Sequence, residues 1–141
     1  MNIDPIVTKI RRCVRKHELG AGAYARYTRP NEAKGQTLAI NPYGCADAAN
    51  LLYTIGDFER DPQRRAESIA AMQKMQDHET GLFHESTHHP IHTTAHVLAA
   101  LELYDAGPLY PVCALEEYRE IEKMRAFLEG LDWEGEPWGQ S

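Results

Sequence analysis

The sequence lacks the features that would indicate secretion or insertion into a membrane. No run approaches about 18 apolar residues, and the first residues do not include the apolar segment of a secretion signal. Cysteine is scarce: Cys13, Cys45 and Cys113 are widely spaced and form no CxxC pair. This usage favours small buried thiols in a reducing compartment over a disulfide framework. We therefore expect a cytoplasmic protein with no membrane span.

An excess of positive charge is also missing. The chain has 15 Lys and Arg residues against 21 Asp and Glu residues, which gives a formal net charge of −6. A nucleic-acid-binding protein needs a clustered basic surface to contact phosphates, so the composition predicts no nucleic-acid partner. The one basic cluster lies on a single short predicted helix without interleaved aromatic residues, and we interpret it as a solvated helix face. Its members are Lys9, Arg11, Arg12, Arg15 and Lys16.

The alternating pattern of a β-strand is not convincing anywhere, whereas helical spacing recurs along the chain. Proline following an aspartate or asparagine predicts helix starts at Asp4-Pro5, Asn41-Pro42 and Asp61-Pro62, and Pro90 precedes a fourth helix. A fifth apolar stripe runs from Leu115 to Leu131. Since a chain of 141 residues is normally one domain, we predict a single all-α domain over residues 1–141. Residues expected to face its interior include Ala48, Leu51, Ala66, Ala70 and Ala100.

Two helix ends align with each other. Residues 71–77 followed by Phe83 match residues 126–132 followed by Trp138, at an offset of 55 positions in both places (71 to 126 and 83 to 138). A fixed offset is typical of stacked helical hairpins, although chance similarity between two amphipathic helix ends is an alternative. We interpret Asp77 and Asp132, which occupy equivalent positions, as turn formers that bind backbone N–H groups.

Gln76-Asp77 followed by Gly81-Leu82-Phe83 resembles the Gln…Gly-x-aromatic repeat of squalene–hopene cyclases and protein prenyltransferase β subunits. Residues 93–101 are similar to the helix that follows that repeat. The resemblance implies an α/α toroid of helical hairpins, an architecture shared by many polysaccharide lyases and glycoside hydrolases. The Asp-x-Asp-Asp acid motif of the cyclases and the Asp-x-Cys zinc pattern of the prenyltransferases are not matched here. Because a complete toroid needs more hairpins, we expect an N-terminal portion completed by further chain or by self-association.

Five of the seven histidines fall within residues 84–96. One hypothesis is a metal site, because His92 and His96 are four residues apart on one helix face, with His88 or Glu85 as a further ligand. A second is general acid–base chemistry, for which imidazole is suited because it titrates near neutral pH. A third is structural, in which histidines such as His89 cap helices or lie exposed. The remaining member of the cluster is His84.

The acid–base hypothesis depends on two helix starts meeting at one end of the protein. If alternate helices share a layer, the start of the second helix would lie beside that of the fourth. We then predict a site for a small polar or carbohydrate substrate, with lyase- or hydrolase-like chemistry and no cofactor.

The alternatives are a terpenoid-cyclase- or prenyltransferase-like protein and a non-enzymatic binding or assembly module. Trp138 has packing between hairpins as its alternative role. The predicted catalytic residues are Tyr43, His88 and His92, and the predicted substrate-binding residues are Asn41, Asp47, Asn50, His89 and Trp138.

Overall fold

The computed structural model describes residues 2–135, and most of the regular structure in this range is helical. The α-helices are α1 (Asp4–His17), α2 (Pro42–Thr54), α3 (Pro62–Gln73), α4 (Pro90–Glu102) and α5 (Ile121–Glu129). Two 3-10 segments span Glu32–Lys34 and Cys113–Arg119. Two short antiparallel strands, β1 (Glu18–Gly20) and β2 (Ala23–Tyr24), follow α1. None of the helices in residues 2–135 is long and apolar enough to cross a membrane.

The helical class is confirmed, but the prediction of an all-α domain is corrected by the hairpin of β1 and β2. Gly20, Ala21 and Gly22 have φ angles of 97°, 48° and 72°, a left-handed stretch that reverses the chain within a few residues. Strands of three and two residues are too short to give a recognisable alternation pattern in the sequence. Residues 2–135 show neither a closed ring nor a repeated unit.

The predicted helix starts are confirmed at Asp4, Pro42, Pro62 and Pro90. Three of them have a side chain that accepts a hydrogen bond from a free N–H group of the first turn, and the caps of α2 and α3 are the shorter ones. Asn41 Oδ1 accepts from the backbone N–H of Gly44 at 3.0 Å, and Asp61 Oδ1 accepts from that of Arg64 at 3.0 Å. Helix starts are therefore the best-predicted feature of the fold.

The core lies where α2 packs on α4. The contacts from Tyr43 to His92 and from Asp47 to His96 both join residues 49 positions apart, so the two helices run parallel in a constant register. Alanines at the contact allow the backbones to approach closely, and larger side chains fill the space beneath them. The buried cluster comprises Cys45, Ala46, Ala49, Met72, Phe83, Val97, Ala100, Leu101 and Tyr104.

Several predicted interior positions are wrong. Leu51 on α2 is 41% exposed, and Ala66 on α3 is exposed whereas Ala71 is buried. Of the thiols expected to be buried, only Cys45 is, while Cys13 and Cys113 are exposed. A periodicity shows which residues share a helix face but not which face the neighbouring elements cover.

The predicted fifth helix is divided in two. Glu120 has an extended backbone conformation (φ −80°, ψ 118°) between the 3-10 segment and α5, so the apolar stripe is not continuous. The apolar side chains of Ile121, Met124 and Leu128 on α5 are exposed.

Gly81 supplies a test of the packing around the turn before the histidine-rich segment. Its φ is 75°, and a Cβ atom there would lie 2.0 Å from the backbone oxygen of Pro111. Gly56 has nearly the same φ, 74°, and a Cβ atom would have open space. We expect Gly56→Ala to cost about 1 kcal/mol of unfolding free energy, for the left-handed conformation alone. Gly81→Ala should cost roughly 2 kcal/mol more, because backbone must also move. Urea denaturation of both variants measures the difference, and equal losses would contradict the close packing.

Candidate acid–base site

The starts of α2 and α4 lie side by side, as predicted. The Tyr43 hydroxyl group and His92 Nε2 are 3.1 Å apart, within hydrogen-bond distance. One turn further along the same pair of helices, His96 Nε2 lies 2.9 Å from Asp47 Oδ1. His88, in the connection that leads into α4, completes the group. We call Tyr43, Asp47, His88, His92 and His96 the tyrosine–histidine cluster.

The Tyr43 ring is the centre of this cluster. Its centroid is 4.2 Å from that of His88, with nearly parallel planes, and 4.4 Å from that of His96. The Arg26 guanidinium carbon lies 4.8 Å from the same centroid, a cation–π distance. Burial raises the pKa of Tyr43 and Asp47 raises it further, while Arg26 acts in the opposite direction. The phenol is therefore protonated at neutral pH and has a proton to donate.

His88 is held by a buried carboxylate. Its Nδ1 atom lies 2.6 Å from Glu85 Oε1 and 3.0 Å from Arg26 Nη1. Carboxylates only accept hydrogen bonds and guanidinium groups only donate them, so Nδ1 can bond to one of the two. Two acceptors at 2.6 Å would repel each other, so we assign the proton to Nδ1 and the hydrogen bond to Glu85. This tautomer leaves a lone pair on Nε2 of His88, which makes Nε2 a proton acceptor.

Glu85 is ionised although its side chain is only 1% exposed. Burial raises the pKa of Glu85, but hydrogen bonds from Thr87 and His88 and the charge of Arg26 outweigh it and hold the pKa below the usual range. Glu85 Oε1 accepts from both the backbone N–H and the hydroxyl group of Thr87. Glu85 Oε2 lies 3.0 Å from Arg26 Nη1 without the angles of a hydrogen bond, so that contact is an ion pair.

Gly44 explains how Arg26 reaches the cluster. A Cβ atom at Gly44 would lie 2.8 to 2.9 Å from backbone atoms of Ala25 and Arg26. Only a glycine in the first turn of α2 lets the segment that follows β2 pass so close. That segment then places the Arg26 guanidinium group between the Tyr43 ring and Glu85.

Some predicted site residues have other partners. Asn41 uses Oδ1 to cap α2, and His89 caps α4 by accepting from the backbone N–H of Ile91 at 3.4 Å. Asn50 Nδ2 donates to the backbone oxygen of Ala46 within α2. These contacts give all three a local structural role. Trp138 lies outside the described residues.

The metal hypothesis required convergent ligands. His92 and His96 do share one face of α4, but His92 is engaged by Tyr43 and His96 by Asp47. Within residues 2–135, no group of three or more His, Cys, Asp or Glu side chains has an arrangement that would hold a metal ion.

Sequence reasoning missed Arg26 and underrated Glu85. Arg26 belongs to a connection with weak periodicity, and nothing in its sequence neighbourhood indicated contact with α2. Glu85 was considered only as a metal ligand, although its position three residues before His88 was a usable signal.

Comparison with protein-family models, with curated proteins and with solved structures finds no match to this chain. Function is therefore inferred from the geometry of the tyrosine–histidine cluster.

Proposed function

We propose that Tyr43, His88 and His92 form a general acid–base site for a polar, hydroxyl-bearing substrate, with carbohydrate as the substrate class. The observation that carries this proposal is the 3.1 Å contact between the Tyr43 hydroxyl group and His92 Nε2, next to a His88 whose Nε2 is an acceptor. Breaking a glycosidic bond by elimination or hydrolysis needs one group to take a proton and another to supply one. The cluster contains both.

His88 is the base in this scheme. Its Nε2 takes a proton from the substrate or from an attacking water molecule. The imidazolium ion that results is stabilised by Glu85, whose carboxylate accepts the Nδ1 proton at 2.6 Å. Hydrogen bonds from Thr87 and His88, with the charge of Arg26, keep Glu85 ionised, so Glu85 and Arg26 act as positioning residues through His88.

Tyr43 is the acid. Its phenol donates a proton to the departing oxygen of the substrate, and the phenolate then takes the Nε2 proton of His92. A proton from solvent enters at Nδ1 of His92 as the Nε2 proton leaves, and exchange with solvent then returns the proton to Nε2. His88 releases to solvent the proton that it took. The high pKa of Tyr43 fits this role, since the group is protonated before the reaction. Asp47 and the partly exposed His96 supply polar contacts to substrate hydroxyl groups.

The composition of the site favours a polar substrate over a terpenoid. Carbocation chemistry calls for an apolar pocket lined by aromatic rings. The tyrosine–histidine cluster instead has one phenol, three imidazoles and one carboxylate, and Arg26 and Glu85 add a guanidinium group and a second carboxylate beside it. The sequence resemblance to cyclases is therefore better explained by shared helical architecture than by shared chemistry.

We also propose that the helices are hairpin units of an α/α toroid. The parallel packing of α2 and α4, with α3 between them in sequence, is the relation that alternate helices of such hairpins have. In addition, Asp77 Oδ1 accepts from the N–H of Thr80 and Asp132 Oδ1 from that of Gly135, so both predicted turn formers bind backbone.

The proposal is tested by assaying the protein against neutral and uronate-containing glycans. New reducing ends report hydrolysis, and the ultraviolet absorbance of an unsaturated sugar reports elimination. On a substrate that is cleaved, we expect His92→Gln to lower turnover by about tenfold, because Tyr43 must then recover its proton from solvent. His78→Gln is the matched control, since His78 is exposed and its contacts are with Glu79 and Tyr110, outside the cluster. No cleavage of any glycan, or equal turnover in the two variants, would refute the proposed function.

A further inference from the structure

A second cleft lies at the opposite end of α2 from the tyrosine–histidine cluster. It is bounded by α1, by the connection from α2 to α3 and by α3, and its volume is about 440 Å³. That volume is in the range of small-molecule sites. Leu52, which lines the cleft, follows Tyr43 by nine residues on α2, so the two sites are separated by roughly 14 Å along the helix. The cleft is thus independent of the acid–base site.

Positive charge exceeds negative charge in this cleft, although the whole chain is acidic. Four arginines line it against three carboxylates, in a protein of net charge −6. Arg11 forms a two-pronged ion pair with Asp57, in which its Nη2 lies 2.6 Å from Oδ1. Arg64 lies 3.1 Å from a carboxylate oxygen of Glu59 and 3.7 Å from one of Glu18. Two arginines thus engage all three carboxylates.

Arg15 and Arg60 are the two arginines of the cleft that the three carboxylates do not engage. Neither forms an ion pair with any residue of the described range 2–135. Arg15 acts on Asp57 only through its charge, which lowers the pKa of Asp57 after the larger effect of the Arg11 hydrogen bond. Arg15 also shares a face of α1 with Arg11, four residues earlier, so both guanidinium groups reach the same cleft. Arg15 and Arg60 thus offer two guanidinium groups at one cleft. Together they form a site for an oxyanion, because each group can bond to two oxygens at once.

The floor of the cleft is aromatic. Tyr24, Phe58 and Tyr104 line it, and the Phe58 and Tyr104 ring centroids are 4.5 Å apart. The Tyr104 side chain is buried, and so is the neighbouring Ser68. A cationic rim above aromatic rings suits a ligand that has both a negative group and a flat or apolar body.

We infer that this cleft binds a small, ring-bearing oxyanion, with Arg15 and Arg60 on its phosphate or carboxylate group and its ring against Phe58 and Tyr24. Phosphate and carboxylate share the recognition chemistry that the arginines supply. Arg11 and Arg15 are exposed, as the interpretation of the basic cluster as a solvated face expects, and this inference adds a ligand-binding role for Arg15.

The inference is tested by isothermal titration calorimetry of the full chain at low salt, with four probes. Phenyl phosphate and benzoate carry both features, inorganic phosphate lacks the ring, and benzyl alcohol lacks the charge. We expect the tighter of the two ring-bearing anions to bind at least about tenfold more strongly than inorganic phosphate, and no binding of benzyl alcohol. The ratio of phenyl phosphate to benzoate affinity identifies the preferred oxyanion. No binding of either ring-bearing anion at millimolar concentration would overturn the inference.

Variants locate the binding in the cleft. Arg15→Gln and Arg60→Gln should each weaken binding of the better probe by about tenfold, because each removes a charged hydrogen-bond donor. Arg12→Gln is the matched control, since Arg12 is an exposed arginine of α1 that does not line the cleft. Because Arg12, Arg15 and Arg60 are exposed, we expect all three variants to keep the fold. Circular dichroism checks that their helix content is unchanged. Equal weakening by Arg12→Gln and Arg15→Gln, or unchanged affinity in the double variant Arg15→Gln/Arg60→Gln, would also overturn the inference.

Discussion

Replacing Tyr43 by phenylalanine is expected to lower turnover on a cleaved glycan by about 100-fold or more. The change removes the one group that donates the proton in the proposed reaction, and it leaves the ring in place. The stacking of that ring on His88 and His96 therefore persists. Loss of the hydroxyl group leaves His92 Nε2 without its partner, but His92 is only partly buried and water can replace the contact.

The measurement compares kcat and KM of Tyr43→Phe with those of Tyr53→Phe. Tyr53 is on the same helix and packs its ring against Phe58, yet it is 57% exposed and has no contact with the cluster. We expect Tyr53→Phe to behave like the natural protein and Tyr43→Phe to lose kcat with little change in KM. A KM effect alone would assign Tyr43 to substrate binding, and near-normal kcat would remove it from the chemistry.

The features of the fold that depend on residues adjacent in sequence were predictable. Proline fixes φ and the residue before it caps the helix, so Asp61-Pro62 and Asn41-Pro42 each indicated a start without any knowledge of the rest of the protein. The meeting of Tyr43 with His92 followed from one further assumption, that alternate helices share a layer. The parallel register of α2 and α4 supports it.

Other features depend on contacts distant in sequence and could not be predicted. Arg26 reaches Tyr43 only because Gly44 allows the segment after β2 to cross the first turn of α2. Leu51 lines a small cavity with Cys13 and Val14 of α1, and Val14 is the only residue of α1 that is buried, so the sequence of α2 alone did not determine the 41% exposure of Leu51. In the same way, Arg11 and Arg15 belong to a cleft because the connection after α2 brings Asp57 and Phe58 against α1.

The side chain of Gln76 holds together the turn that leads to the histidine-rich segment. It is 7% exposed, and all of its hydrogen bonds are to backbone groups. Its Nε2 donates to the backbone oxygens of Gly81 at 2.9 Å and Tyr110 at 2.8 Å, while its Oε1 accepts from the backbone N–H of Tyr110 at 3.0 Å. The two donor hydrogens and the acceptor oxygen of this buried amide match three backbone groups, although Tyr110 itself is 40% exposed.

Changing Gln76 to glutamate is therefore expected to destabilise the protein by about 3 kcal/mol at neutral pH. The substitution keeps the shape but places carboxylate oxygens against the carbonyl oxygens of Gly81 and Tyr110, which repel them. Only the N–H of Tyr110 can still donate. Gln73→Glu is the matched control, because Gln73 Nε2 also donates to a backbone oxygen, that of Gly107 at 2.7 Å, but Gln73 is only half-buried and Gly107 is exposed. Its cost should be about 1 kcal/mol or less, since water can solvate the new charge.

The pH dependence distinguishes repulsion of a buried charge from a simple loss of packing. Burial and the two carbonyl oxygens raise the folded-state pKa of the introduced carboxyl group above its unfolded value of about 4.3. A group with a raised folded pKa costs least below the unfolded pKa, where both states are protonated and the acid can still donate one hydrogen bond. The cost then grows as the pH rises from the unfolded pKa to the folded pKa. Urea denaturation of Gln76→Glu and Gln73→Glu below and well above this window should show a penalty that increases with pH only for Gln76→Glu. A penalty that does not change with pH would mean that Gln76 stabilises the turn by its shape and not by its two donated hydrogen bonds.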